Sequence, residues 1–191
     1  MRYEKGHSDA TRRHIIDVAS ARFREGGVAA SGIAGIMAGA GLTNGAFYNH
    51  FDSKEDLVEA VLLKALAKRE KGLRANLESG KGLEAAIRDY LSARHRDAPG
   101  GGCPTAALAA EIARHPKTTR DVFTDRIAEI IALIAAQAGT GSSRERRKRA
   151  IAAYGLMVGA LQLARAVSDR KLSDEILESA ADGALALAAG S

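Results

Sequence analysis

The sequence predicts an all-α protein of about nine helices, with a small N-terminal helix-turn-helix unit over residues 1–54 and a larger helical half over residues 55–191. Three observations carry this. Alanine is abundant, prolines number 3 and alternating β-branched stretches are scarce, a composition that favours helices throughout. Apolar residues recur three and four apart through most of the chain. The run from Gly41 to Phe51 joins a glycine turn to a short two-faced helix, the pattern of the second half of a helix-turn-helix.

The first helix is expected from about Ser8 to Arg24, capped by Ser8 or Thr11, with Ile15, Ala19 and Phe23 as an inner stripe. Gly26-Gly27 ends it. The second, about Gly32 to Ala40 with Ser31 as cap, turns Ile33, Ile36 and Met37 inward. Gly32, Gly35 and Gly39 weaken it by about 1 kcal/mol each against alanine. At Gly41 a tight turn needs positive φ. Leu42 then points inward and Thr43 is placed to cap a third helix. Phe47 and Phe51, four apart, share its buried face, which leaves Asn44, Tyr48 and Asn49 outside. Amides and a phenol are groups that hydrogen-bond base edges and phosphates.

Ser53 caps a fourth helix that runs from Lys54 to about Glu78, with Val58, Val61, Leu62, Ala65, Leu66, Leu73 and Leu77 inward and Asp56 placed to complete a capping box. A fifth is expected over about Leu83 to Arg96, and Pro99-Gly100-Gly101-Gly102 is a loop. Cys103-Pro104 opens a sixth, which ends at His115-Pro116. The seventh runs to about Ala138 on a core of Val122, Phe123, Ile127, Ile130, Ile131 and Ile134. The last two span about Arg144–Asp169 and Ser173–Ala189. The final helix carries too much apolar surface for a terminal helix facing water.

The run GLTNGAFYNHFDSKEDLVEAVL resembles the tetracycline-repressor family of bacterial transcriptional regulators, and the likeness extends from about Thr11 to Leu63. Glycine, tyrosine, the His-Phe pair and the capping serine all fall at that family's spacing. The resemblance implies a ligand-responsive repressor that binds a palindromic double-stranded DNA operator as a homodimer and leaves it on binding a small effector. It implies base or phosphate contacts from Thr43, Asn44, Gly45, Ala46, Tyr48, Asn49 and His50, and a phosphate contact from Lys54. It implies an effector cavity in the C-terminal half, for which Leu62, Leu66, Tyr90, Cys103, Leu108, Ile112, Phe123, Ile127 and Met157 are candidate lining. It also implies a dimer face on the last two helices, with Ile151, Tyr154, Gly155, Val158, Leu161, Ile176, Leu177, Ala180, Ala181, Ala184 and Leu185 as candidates. Family members often carry polar, phosphate-gripping side chains where Ala34 and Gly35 stand here.

The formal charge of +5 suits a polyanionic partner, but residues 1–54 hold seven cations against five acids, and Glu55 and Asp56 cancel even that excess. Phosphate contacts must therefore lean on helix N-termini, hydroxyls and a few cations; Arg2, Lys5, Arg12 and Arg13 are candidates beside a plain solvated helix start. No apolar run reaches the roughly 18–20 residues of a membrane span, and Met1–Lys5 lacks an apolar signal core. One cysteine forms no internal disulfide, so a cytoplasmic setting is the simplest reading. His7, His14, His50, His95 and His115 show no ligand spacing, so no metal or cofactor is expected, and no nucleophile triad or phosphate loop suggests catalysis. Two other readings stay open. One is a helical carrier or enzyme with a degenerate reading head. The other is a regulator switched by oxidation of Cys103, which sits at a helix start where a thiol's pKa falls.

Overall fold

The computed structural model describes residues 5–80 and 82–190, and among them the chain forms helices and no strands. In order these are α1 (Lys5–Gly26), α2 (Ile33–Gly39), a 3₁₀ helix (Asn44–Asn49) termed the reading helix, α3 (Lys54–Glu78), α4 (Gly82–Tyr90), α5 (Ala93–Asp97), a 3₁₀ turn (Pro99–Gly101), α6 (Pro104–Ile112), α7 (Lys117–Gln137), α8 (Ser143–Ala166) and α9 (Arg170–Ala189).

Several ends differ from the expectations, each for a local reason. α1 already includes Lys5, so Ser8 and Thr11 lie inside it rather than capping it. Arg2 lies outside the described residues, as does the side chain of Lys5. Ser31 does not cap α2; its hydroxyl turns back and donates to the carbonyl of Gly27 at 2.7 Å. Ser53 caps α3 as expected, accepting from the Asp56 N–H at 3.1 Å. The Asp56 carboxylate accepts from Asp52, one residue before the capping-box position. The expected fifth helix is two: Ser92 interrupts it by accepting from the His95 N–H at 3.2 Å, a cap that starts α5. α5 is pinned by Arg96, buried, whose guanidinium reaches Ser173 at 2.8 Å and Asp174 at 2.5 Å near the start of α9. Glu145 and Ser142 form a capping box at α8, and Asp169 caps α9.

Two buried clusters hold the molecule. One runs without a gap from α1, α2 and the reading helix through Leu57, Val58, Val61, Leu62 and Leu66 of α3 to Leu108, Ile112, Ile130 and Ile134. The N-terminal helices therefore sit on the rest through continuous apolar contact. The second gathers α4, α6, α8 and α9 around Ile87, Tyr90, Met157 and Leu161.

The candidates for a dimer face on the last two helices differ in burial. Tyr154, Leu161, Leu177, Ala180, Ala181 and Ala184 are buried within the chain, most of them along the seam where α8 packs on α9. Val158, Ile176 and Leu185 are half-buried. The open apolar face is carried by Ile151, Leu156, Leu163, Leu172 and Leu187, with Gly155 bare beside them.

Candidate nucleic-acid interface

The turn that aims the reading helix is built by Gly41. Its φ of +69° closes α2 in a Schellman arrangement: Leu42 N–H donates to Met37 O at 2.9 Å and Gly41 N–H to Ala38 O at 3.0 Å. Thr43 stands at the N-cap in extended backbone, but its hydroxyl makes no capping bond, contrary to expectation, and is exposed. Phe47 and Phe51 are buried with ring centroids 5.4 Å apart, and Tyr48 meets the Phe47 ring edge-on at 5.2 Å. That contact holds the Tyr48 side chain while leaving it 66% exposed.

Thr43, Asn44, Gly45, Tyr48 and Asn49 form the exposed row. Ala46 is half-buried against the phenylalanine core, so its methyl faces inward more than expected. His50 is half-buried and its carbonyl accepts from Arg12 at 3.3 Å. Arg12 also lies 4.6 Å over the Phe51 ring, so this cation of α1 braces the reading helix. Lys54 does not hang free: its ammonium donates to the carbonyl of Val28 at 2.6 Å. Arg22 of α1 lies across α2, and a Cβ on Gly39 would come within 3.1 Å of its guanidinium and of Val18. The glycines of α2 thus have a use: they let a cation from α1 settle over the face that lacks polar side chains of its own.

Among the polar ties that hold this head, three bridge residues far apart in the sequence. Glu111, at the end of α6, accepts from the backbone N–H groups of Val28 at 2.8 Å and Ala29 at 2.5 Å, clasping the turn between α1 and α2. Arg24, at the end of α1, donates to Gly100 O at 2.7 Å. At the head of α3, Glu55 receives His115 at 2.8 Å and the hydroxyl of buried Thr119, which also lies 3.0 Å from Glu59. Burial pushes the Glu55 carboxyl up, but hydrogen bonds from Thr119 and His115 outweigh it and hold its pKa below the ordinary value.

The interior of the C-terminal half is nearly full. Leu62, Leu66, Leu108 and Ile112 are buried core, and Phe123 and Ile127 pack half-buried against it. Of the expected lining, Tyr90 and Met157 border a cavity of about 20 Å³. Cys103 is 1% exposed, stands at the N-cap of α6 without capping it, and has its sulfur 4.0 Å from the Tyr154 hydroxyl, which is bonded to Thr105 at 2.9 Å. Burial raises the pKa of both Tyr90 and Tyr154. No group of metal-ligating side chains occurs among the described residues.

A helix-turn-helix presenting an exposed amide and phenol row, followed by a long helix into a second helical layer, defines a regulator of the helix-turn-helix class. Residues 15–61 match the model of the bacterial regulatory proteins of the tetR family, and residues 79–180 match that of the tetracyclin repressor-like C-terminal domain. The chain belongs to the tetracycline-repressor family. It is 34% identical over 80 residues to the HTH-type transcriptional repressor KstR2 of Rhodococcus jostii, covering 40% of this chain and 39% of that one. It is 40% identical over 60 residues to the HTH-type transcriptional regulator AcrR of Shigella flexneri, covering 31% and 28%. The chain thus spans well under half the length of these two relatives. Among solved structures it is similar to reduced NemR of E. coli (24% identity, TM-score 0.76, 92% and 95% covered). It is also similar to a TetR-family regulator from Cytophaga hutchinsonii (24% identity, TM-score 0.78, 98% of each chain covered). No described helix is long and apolar enough to cross a membrane.

Proposed function

We propose that this chain is a ligand-responsive transcriptional regulator, a repressor that binds a palindromic operator as a homodimer and releases it when a small effector binds. Residues 1–54 read DNA and residues 55–191 sense and dimerise. The observation that carries this reading is the exposed row Thr43, Asn44, Gly45, Tyr48 and Asn49, standing on a rigid Phe47–Phe51 base. Asn44 and Asn49 present amides suited to adenine, and Tyr48 and Thr43 present hydroxyls suited to phosphate. Arg22 over the bare face of α2 supplies a cation there. Lys54 acts chiefly by fixing the turn at Val28, and the positive end of α3 beside it favours a phosphate.

A single reading helix addresses one half-site, so a twofold pair is needed for a palindrome. The outer face of α8 and α9, with Leu163 59% exposed, is the surface a second copy covers. Leu163→Glu is expected to convert the dimer to a folded monomer by sedimentation velocity and to abolish operator binding; an unchanged dimer rules this face out.

The ties at Glu111, Arg24 and Glu55 give an effector its route to the reading head. Release follows only if the effector binds better to the form in which these ties are shifted. Selection from random DNA tests the reading as a whole. Wild type is expected to enrich an inverted repeat and Tyr48→Ala to enrich none; a wild-type pool without a motif contradicts the proposal.

A further inference from the structure

We infer that the cleft between α1, α3 and α5 is a binding site for a compact organic anion, and that such an anion is the effector class of this regulator. The site stands on its own geometry; only its readout at DNA rests on the function proposed above. The cleft measures about 350 Å³, within the size range of small-molecule sites. Arg69 lines both this cleft and the small apolar cavity beside Tyr90.

Its chemistry is cationic. Arg24, Lys64, Lys68, Arg69 and Arg94 line it, against the carboxylates of Asp17 and Asp89. Lys64 pairs with Asp17 at 2.7 Å and Arg94 pairs with Asp89. That leaves Arg24, Lys68 and Arg69 with no carboxylate pair among the described residues; Arg24 donates instead to the Ser20 hydroxyl and the Gly100 carbonyl. Arg69 is held in place without one, its guanidinium 4.8 Å over the Tyr90 ring. Like charges gathered in a concave wall repel one another, and a bound anion relieves that repulsion. His95, also in the wall, adds no charge: it contacts Tyr90 O through Nδ1 at 2.7 Å and accepts the Cys103 N–H on Nε2 at 3.0 Å, which fixes a neutral ring. Ser20, Gly101 and Gly102 complete the lining, with the Ser20 hydroxyl accepting from Arg24 at 2.5 Å.

The position makes the cleft a lever. Lys64–Asp17 ties α3 to α1, and Arg24–Gly100 ties the end of α1 to the turn after α5. An anion drawing Lys64 and Arg24 toward itself competes with both ties and frees α1, whose Arg12 and Arg22 brace the reading helix and α2. Occupation therefore weakens DNA binding, and by reciprocity DNA weakens anion binding by the same factor.

The test uses the full-length protein and titration calorimetry with succinate, citrate and inorganic phosphate, with succinamide as neutral control, at ionic strength matched with sodium chloride. Saturable binding of at least one anion and none of succinamide is expected, and carboxylates against phosphate decide the headgroup. Lys68→Gln/Arg69→Gln is expected to weaken that binding about tenfold or more while the ligand-free variant keeps its helical circular dichroism and a cooperative melt. Lys171→Gln, an exposed cation elsewhere, leaves it intact. Absence of saturable binding for all three anions, or equal binding by the double variant, overturns the site. Anisotropy on selected DNA separates the two claims. Anion-induced release in wild type but not in the double variant sustains both. Anion binding by a protein that recognises no DNA sequence keeps the site and overturns the regulator reading, while anion binding with undiminished DNA affinity overturns the effector assignment.

Discussion

The reading head and the interior of the C-terminal half are built on opposite plans. In the head, a small apolar base holds a polar row out to solvent: Phe47 is fully buried and its neighbour Tyr48 is 66% exposed. In the C-terminal half, Tyr90, Cys103, Thr105 and Tyr154 are drawn inside, Tyr90 and Tyr154 beside a cavity of about 20 Å³, and a cationic cleft opens at the junction. A surface that meets a large, preformed polyanion is best kept rigid and exposed. A region that signals is better built from separable ties, each weak enough for a ligand to redirect.

Variants that break each plan separate the two regions. The largest effect is expected at the base of the head. Phe47→Ala leaves a cavity in a closed cluster and costs about 3–5 kcal/mol in denaturant unfolding. Next comes the clasp between regions. Glu111→Ala strips the buried Val28 N–H of its acceptor and costs about 1–3 kcal/mol, and Glu111→Gln, which keeps one acceptor oxygen, costs less. A loss of DNA selectivity in these variants larger than their loss of stability would show that the clasp positions the head.

The Glu55 tie is expected to act through pH. Its folded pKa lies below the ordinary value of 4.5, so the tie stabilises the protein fully above that value and is lost as pH falls through the lower folded one. Thermal melts between pH 3 and pH 6 should show wild type losing stability toward acid more steeply than Thr119→Val, which lacks the hydroxyl donor. Parallel curves contradict the assignment. The smallest effect on folding belongs to the exposed row: Asn44→Ala should change stability by no more than about 0.5 kcal/mol, and Tyr48→Ala, which loses the edge contact with Phe47, by about 0.5–1.5 kcal/mol. A large loss in either would make the residue structural.

The same contrast explains what was legible in the chain. Gly41, Leu42, the Phe47–Phe51 pair and the outer row obey rules that act within a few residues, so spacing alone placed them. The reading helix is 3₁₀ rather than α, a detail that spacing does not distinguish over six residues. The ties are another matter. Lys54 meets Val28 and Arg12 meets His50 across 26 and 38 positions, and Glu111 reaches Val28 across 83, so their partners emerge only when helices pack. The candidates for a dimer face are split by burial because α8 carries two apolar stripes. Periodicity finds both, and only the position of α9 decides that Leu161 is inside and Leu163 outside. Lys68 and Arg69 give no sign of a site in the sequence for the same reason: the opposing wall comes from α1 and α5, far away in sequence.

The most direct test of the central claim is fluorescence anisotropy of the purified protein on its selected DNA and on a scrambled duplex, across a salt series. The account predicts tight binding to the selected sequence, a steep loss as salt rises from counterion release, and collapse of the preference in Tyr48→Ala. Equal, weak binding to both duplexes at every salt concentration would contradict it.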